Sequence, residues 1–262
     1  MASLRTLFIS LLAALTLAAA PTASAIVDGT LDVEHDYVVF VGQQVDVPGV
    51  GTFNTVGCSG VLVAPTVVVT AAHCSILGPP VPPSWIRWVV IRGEGTRTPD
   101  AMQVSGTFIT HPGFCIACPG APAEGFANND LAVVLLDSPL PGPYAKLPKA
   151  DFVGKHFDKE KQLVAAGYGF TDPALRDIGT RRSAQAGAVV ASNAPNFLFL
   201  PVPSKSKYGT VCTGDSGGGA LLGTMVVAVH SIGDDQCGGP SFAYRLDTPD
   251  AQSFLSTYVD VR

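Results

Sequence analysis

The sequence predicts an all-β fold, a barrel or sandwich, and three observations carry that prediction. Short runs of β-branched and aromatic residues recur along the chain, Gly and Pro clusters separate them, and helical periodicity is scarce. In the first half, Tyr37 to Val41, Gly60 to Val63, Thr66 to Thr70, Trp85 to Ile91, Gln103 to Thr110 and Leu131 to Leu136 read as strands. Pro48-Gly49, Pro79-Pro80, Pro82-Pro83 and Pro112-Gly113 are the turn signals between them. In the second half, Gln162 to Ala166, Ala186 to Ala191, Phe197 to Val202, Gly218 to Leu222, Met225 to His230 and Ser241 to Leu246 repeat the style. A helix is expected after Asp247, with Thr248 as cap, Pro249 in the first helical position and Phe254, Leu255 and Tyr258 on one face.

Composition fits a large core. Charged residues are only 14% of the chain and hydrophobic ones 47%. The net charge of −5 argues against a nucleic-acid binder, which would carry a basic footprint. Residues 1–25 read as a signal peptide: Arg5 gives the positive start, Leu7 to Ala20 the apolar run, and Ala23-Ser24-Ala25 the cleavage site. The alternative, an uncleaved anchor, needs about 20 apolar residues, more than this run offers. Residues 26–262 then form one unit, of a length that a single all-β domain or a pair of packed barrels fills. The proline-rich stretch Ser138-Pro139-Leu140-Pro141-Gly142-Pro143 reads as a linker, giving halves of about 26–138 and 152–262 around a connector of about 139–151.

All six cysteines lie beyond the signal peptide, so an exported chain would hold three disulfides. Spacing leaves all fifteen pairings open. Cys115 and Cys118 form a C-x-x-C pair, which a redox site or half a zinc site would also use. Neither a βαβ context nor a second such pair is present, and a local disulfide stapling a loop is the reading preferred here.

The chemistry concentrates at Cys212-Thr213-Gly214-Asp215-Ser216-Gly217-Gly218-Gly219. A serine among glycines on a tight turn suits a nucleophile, and the N–H groups of Gly214 and Ser216 would face a developing oxyanion. A hydroxyl needs a base, and His73 in Val69-Thr70-Ala71-Ala72-His73-Cys74 is the candidate. Asp130, at the mouth of the apolar run Leu131 to Leu136, is the acid that would orient the imidazole. The order His73, Asp130, Ser216 is one of three chain orders known for such a triad. His35, His111 and His156 are expected on the surface or in loops.

With TAAHC, NNDLAVVLL, GDSGG and Gly167-Tyr168-Gly169 in this order, the chain resembles the secreted trypsin/chymotrypsin-like serine proteases. The resemblance implies two packed antiparallel six-stranded β-barrels with a short C-terminal helix. It also implies a secreted monomeric endopeptidase acting on proteins or peptides through an acyl-enzyme on Ser216, with no cofactor, metal, nucleic acid or membrane partner. Disulfides Cys58–Cys74 and Cys212–Cys237 follow from it, while the Cys115–Cys118 pair has no family counterpart. Ile26-Val27-Asp28-Gly29 matches the family's mature start, so the α-ammonium of Ile26 is expected to pair with Asp215. Because Ile26 directly follows Ala25, signal removal alone would release it.

The resemblance also assigns the substrate pocket. Thr210 stands at its floor, Val211 and Thr213 beside it, Ser231-Ile232-Gly233 along its wall, and Ser241 replaces a family glycine. Ser231 matches a serine that supports the triad acid. The floor lacks the aspartate that would select Arg or Lys. His230 falls where glutamate-specific relatives place a histidine, so an acidic preference stands beside a small or medium apolar one. Asp234 and Asp235 at the rim offer a third possibility, basic residues. A catalytically idle binding protein is the competing functional class, but every triad position is occupied. An esterase fits the loose Gly214-Asp215-Ser216-Gly217-Gly218 string yet conflicts with the β-rich pattern and the chain order.

Overall fold

The computed structural model describes residues 26–55, 57–76, 80–117, 127–202 and 209–261. The expected signal peptide and Cys118 lie outside the described residues, and so does the expected Cys115–Cys118 staple.

After the short strand β1 (Thr30–Leu31), the chain builds a first barrel from β2 (Val38–Val47), β3 (Gly51–Asn54), β4 (Cys58–Ala64), β5 (Val67–Thr70), β6 (Ile86–Arg92) and β7 (Met102–Thr110). A small antiparallel pair follows, β8 (Cys115–Ile116) with β9 (Ala127–Asn128), and β10 (Ala132–Leu136) completes the barrel. The second barrel comprises β11 (Lys161–Gly167), β12 (Arg182–Val190), β13 (Phe197–Leu200), β14 (Gly219–Leu222), β15 (Met225–Ile232) and β16 (Ser241–Arg245). The helices are α1 (Phe152–His156) and α2 (Pro249–Leu255).

Closure follows from strand pairing. In the first barrel the order β2-β4-β5-β10-β7-β6 returns to β2, with β3 as an outer partner of β2. In the second, β12-β11-β14-β15-β16-β13 returns to β12, with β1 attached outside. Each barrel thus has six strands, and closure removes the open edges that would invite other strands. The all-β, two-barrel expectation is met.

The sequence explains why these segments extend. β5 is Val67-Val68-Val69-Thr70, buried on both faces, and it pairs through Val69 with Val133 of β10. Branched side chains are stiff and pack well on a pleated surface. Tyr168, fully buried, belongs to the core shared by Val61 and Leu131 of the first barrel and Leu221 and Val229 of the second. That shared core holds the barrels against each other. At the end of the chain Thr248 caps α2 by accepting from the Ala251 N–H at 3.3 Å, with Pro249 next to it.

Two differences from the expected elements are informative. β2 runs on to Val47, beyond the expected Val41, because Gly42-Gln43-Gln44-Val45-Asp46 is held by backbone pairing to both β3 and β6 despite its polarity. The single-turn α1 escaped prediction because it depends on tertiary support. Asp247 accepts the Val153 N–H at 2.8 Å and is itself paired to Arg245 at 2.8 Å.

Candidate active site

The two barrels bring their chemistry together in a cleft of about 270 Å³. Its lining includes Gly57 and His73 from the first barrel, and Val211 to Gly214, Ser216 and His230 to Asp235 from the second.

His73 leaves the end of β5 on a short 3-10 turn that begins at Ala72. The Cys58–Cys74 disulfide ties that turn to β4. Asp130 precedes β10, the strand adjacent to β5, so sheet pairing carries it beside the histidine. The carboxylate is 1% exposed. Its Oδ1 accepts the His73 backbone N–H at 2.9 Å, and its Oδ2 lies 2.7 Å from His73 Nδ1. A carboxylate can only accept, so Nδ1 carries a proton, which leaves the lone pair of the neutral ring on Nε2. Ser231 also donates to Oδ2, at 2.5 Å. Burial pushes the Asp130 carboxyl up, but the charge and hydrogen bonds of His73, with Ser231, outweigh it and hold the group below the ordinary range.

Asn129 sets the approach to that acid. It is left-handed, with φ 47°, and its side chain donates to Gly113 O at 3.2 Å while accepting from the Tyr244 hydroxyl at 2.7 Å. Asn129 entered the sequence analysis only as part of the NNDLAVVLL run, with no role, and Tyr244 only within the strand Ser241 to Leu246. An asparagine ahead of the acid was the only available signal, since Asn tolerates such backbone angles.

The turn around Ser216 is held from both barrels. The Cys212–Cys237 disulfide fixes its start. Gly214 has φ 97°, and a β-carbon there would lie 2.9 Å from Gly169 Cα and 2.6 Å from Ile178 Cδ1. Gly217 has φ 80° and no room for a side chain against Thr70. Ser59, fully buried on β4, reaches across from the first barrel. Its N–H donates to Ser216 O at 2.8 Å, its hydroxyl donates to Gly214 O at 2.9 Å, and it accepts the Tyr168 N–H at 2.8 Å. The peptide planes that carry the Gly214 and Ser216 N–H groups are held through the carbonyls before them: Thr213 O accepts the Phe170 N–H at 2.9 Å and Asp215 O the Gly218 N–H at 2.8 Å. Neither N–H donates to another group among the described residues. Ser59 was missed because one serine within the strand Cys58–Ala64 carries no motif. The Ser216 hydroxyl and His73 Nε2 line the same cleft without a hydrogen bond between them; such contacts often tighten only once substrate is bound.

Asp215 is fully buried. Oδ1 accepts the Gly169 N–H at 2.8 Å and Oδ2 the Cys212 N–H at 2.9 Å, and the Ile26 backbone N–H is a further donor. Burial nevertheless raises this carboxyl to about 7. Ile26 is also fully buried, with φ 52°, a region that branched residues rarely enter.

Around the pocket, Val211, Thr213, His230, Ser231, Ile232 and Gly233 line the cleft as expected from their positions. Thr210 and Ser241 do not. The Thr210 hydroxyl turns to the Cys237 carbonyl, and Ser241 lies behind Gly233, where a β-carbon would come 3.5 Å from its own. Both His230 ring nitrogens are buried without a hydrogen-bond partner. Burial pushes this imidazole down to about 4; the Gly219 backbone pulls the other way without reaching hydrogen-bonding geometry. Asp234 at the rim folds its loop by accepting the Gly238 and Gly239 N–H groups, both at 3.1 Å.

The remaining histidines lie apart. His35 pairs with Asp32 at 2.9 Å, and His156 is exposed on α1. His111 is in a loop as expected but buried rather than at the surface, its ring 5.0 Å from that of Phe254. The ligand atoms of Cys58, His73 and Cys74 lie within 4.8 Å of one another. Both sulfurs are consumed by the disulfide, so that cluster offers no thiolate to a metal.

The Trypsin family model matches residues 40–250. A trypsin of Saccharopolyspora erythraea is 26% identical over 216 residues, spanning 78% of this chain and 84% of its own. Among solved structures, mouse-brain neuropsin, a serine protease, superposes with a TM-score of 0.64 at 16% identity, over 89% of this chain and all of its own. The protein HBP superposes with a TM-score of 0.65 at 19% identity, covering 88% of this chain and 96% of its own.

Proposed function

The chain belongs to the trypsin-like serine protease family. From that premise we propose that it is an exported endopeptidase using His73, Asp130 and Ser216. The observation that carries the reading is the 2.7 Å contact of His73 Nδ1 with buried Asp130, in the cleft that Ser216 also lines. Ser216 Oγ attacks the peptide carbonyl while His73 Nε2 takes its proton. The Gly214 and Ser216 N–H groups receive the oxyanion. His73 then protonates the leaving amine, and water resolves the acyl-enzyme by the same route. Asp130 keeps the ring oriented and stabilises its cation.

Maturation is read from Ile26 and Asp215. While the chain continues before Ile26, its nitrogen is an uncharged amide and Asp215 is a buried carboxyl without a counter-ion. A cut between Ala25 and Ile26 turns that nitrogen into an ammonium already facing Asp215. It also abolishes the φ angle at Ile26, and with it the strain of 52°. The cut is therefore favourable on both counts. N-terminal sequencing of the secreted protein is expected to begin Ile26-Val27; any other start contradicts this step.

The pocket favours a small or medium apolar side chain before the cut. Val211 and Ile232 supply apolar walls, His230 is uncharged at neutral pH, and Asp234 and Asp235 repel a carboxylate. A peptide library varying the residue before the cut tests this, and cleavage chiefly after Glu would overturn it.

A further inference from the structure

A second cavity, about 630 Å³, adjoins the catalytic cleft and has no part in the mechanism above. Two contacts form the partition. A β-carbon on Gly57 would lie 2.0 Å from Phe40 Cζ, and one on Gly214 would lie 2.6 Å from Ile178 Cδ1. Gly57 and Gly214 face the catalytic cleft, whereas Phe40 and Ile178 face the second cavity.

The cavity is built from both barrels. The loop after β6 and the loop before β12 are joined by pairing of Gly95 with Thr180 and by the Thr96 N–H donating to Gly179 O at 2.8 Å. Each loop contributes one arginine to the lining, Arg97 and Arg176, both exposed. Among the described residues neither makes an ion pair and no carboxylate lines the cavity. The acids flanking them in sequence are engaged or turned to the backbone: Asp177 holds Thr171, and Asp100 holds the Glu94 N–H. On a protein of net charge −5, such a lining is selective for anions.

Gln43 adds an independent sign of a ligand. It is 4% exposed, it lines this cavity, and its side-chain Oε1 is buried without a hydrogen-bond partner. Buried acceptors are almost always paired, so an orphan of this kind asks for an outside donor such as a peptide N–H. Phe40, Ile91 and Ile178 supply an apolar floor.

We propose that this cavity is an exosite for an acidic, partly apolar, extended stretch of polypeptide that continues from the catalytic cleft past Gly57 and Gly214. Its use by a substrate rests on the endopeptidase reading; the acidic-peptide site does not.

The test uses mature Ser216→Ala protein and two fluorescein-labelled decapeptides, one of alternating Glu and Leu, one of alternating Lys and Leu, at low and high salt. The Glu peptide is expected to bind at least tenfold more tightly than the Lys peptide, to weaken with salt, and to lose about tenfold in the Arg97→Ala/Arg176→Ala background. Equal binding of the two peptides, or an unchanged affinity in the arginine variant, overturns the proposal. With Ser216 intact, the arginine variant is expected to hydrolyse a short substrate without the Glu-Leu sequence at the parental rate, yet lose about tenfold in kcat/KM when that sequence extends the substrate on one side of the cut. An unchanged kcat/KM with the extension on either side contradicts the use of the cavity by substrate. Absent turnover with retained Glu-peptide binding would sink the protease reading alone.

Discussion

At the scale of single residues, the site depends on a few atoms held from outside the obvious motif. Ser216→Ala is expected to leave folding intact, read by circular dichroism, and to abolish turnover. Ser59 gives a subtler test, because it touches no reacting atom and pins the carbonyls of Gly214 and Ser216. Ser59→Ala frees one carbonyl and orphans the Tyr168 N–H. The turn that carries the proposed oxyanion donors then loses one anchor next to Gly214, and kcat is expected to fall about tenfold with KM little changed, against ~10²–10³ for losing a donor outright. A fall in KM and kcat together, or none, would leave Ser59 a purely structural residue. His73, Asp130 and Ser216 stood out in the sequence as candidates because each sits in a run whose neighbours are also constrained. Ser59 and Gln43 were not, since their importance comes from what the fold places opposite them. His230 shows the same limit: its position was readable, but its neutral, unpartnered state comes from burial.

At the scale of elements, the maturation proposed for the N-terminal segment predicts a pH dependence. Once Ile26 carries a free ammonium, pairing with Asp215 raises that ammonium above its ordinary value near ~8. A raised cationic group contributes fully below its unpaired value and loses its contribution as pH rises through the raised one. Activity is therefore expected to hold through mild alkalinity and fall beyond it, together with thermal stability. A pH–rate curve on the mature protein checks this; an activity unchanged to pH 11 contradicts the pair. For the uncleaved chain the sign differs. Asp215, raised from 3.8 to about 7 by burial, is neutral below that range and must ionise uncompensated above it. A chain blocked at the Ala25–Ile26 bond is accordingly expected to lose stability between pH 4 and 8, where the mature protein does not. Strand positions were readable because β-branched runs mark them, as in β5 and β10. The far half of β2 and the single turn of α1 were not, since pairing partners distant in sequence hold them.

At the scale of the whole molecule, two barrels act as one body because side chains cross between them. Arg181, at the edge of β12, is fully buried and reaches into the first half of the chain. Its Nε donates to Asp32 O at 3.0 Å, one terminal nitrogen to Gly93 O at 3.0 Å, and the other pairs with Asp36 at 2.7 Å. Arg92 joins from the other side, 3.1 Å from Asp36. Asp36 is half exposed, so the ion pair itself is partly screened. The larger loss on Arg181→Ala comes from the orphaned Asp32 carbonyl and an unfilled space, while Gly93 O keeps the Tyr168 hydroxyl; together these are on the order of 3 kcal/mol. Urea unfolding in the Ser216→Ala background, which avoids self-digestion, measures it; a change under 1 kcal/mol would mean that the strut is dispensable. Composition showed that a large core was possible, but not that a buried arginine would join its halves. A lone charged residue in a strand reads as solvent-facing until the opposing backbone is known.

Labelling with a fluorophosphonate, which reacts only with an activated serine, followed by mapping of the modified peptide, tests the central claim most directly. The account predicts one adduct, on Ser216, with a rate that collapses in His73→Ala and falls sharply in Asp130→Asn. An adduct on another serine, or labelling of Ser216 at the same rate without His73, would contradict it.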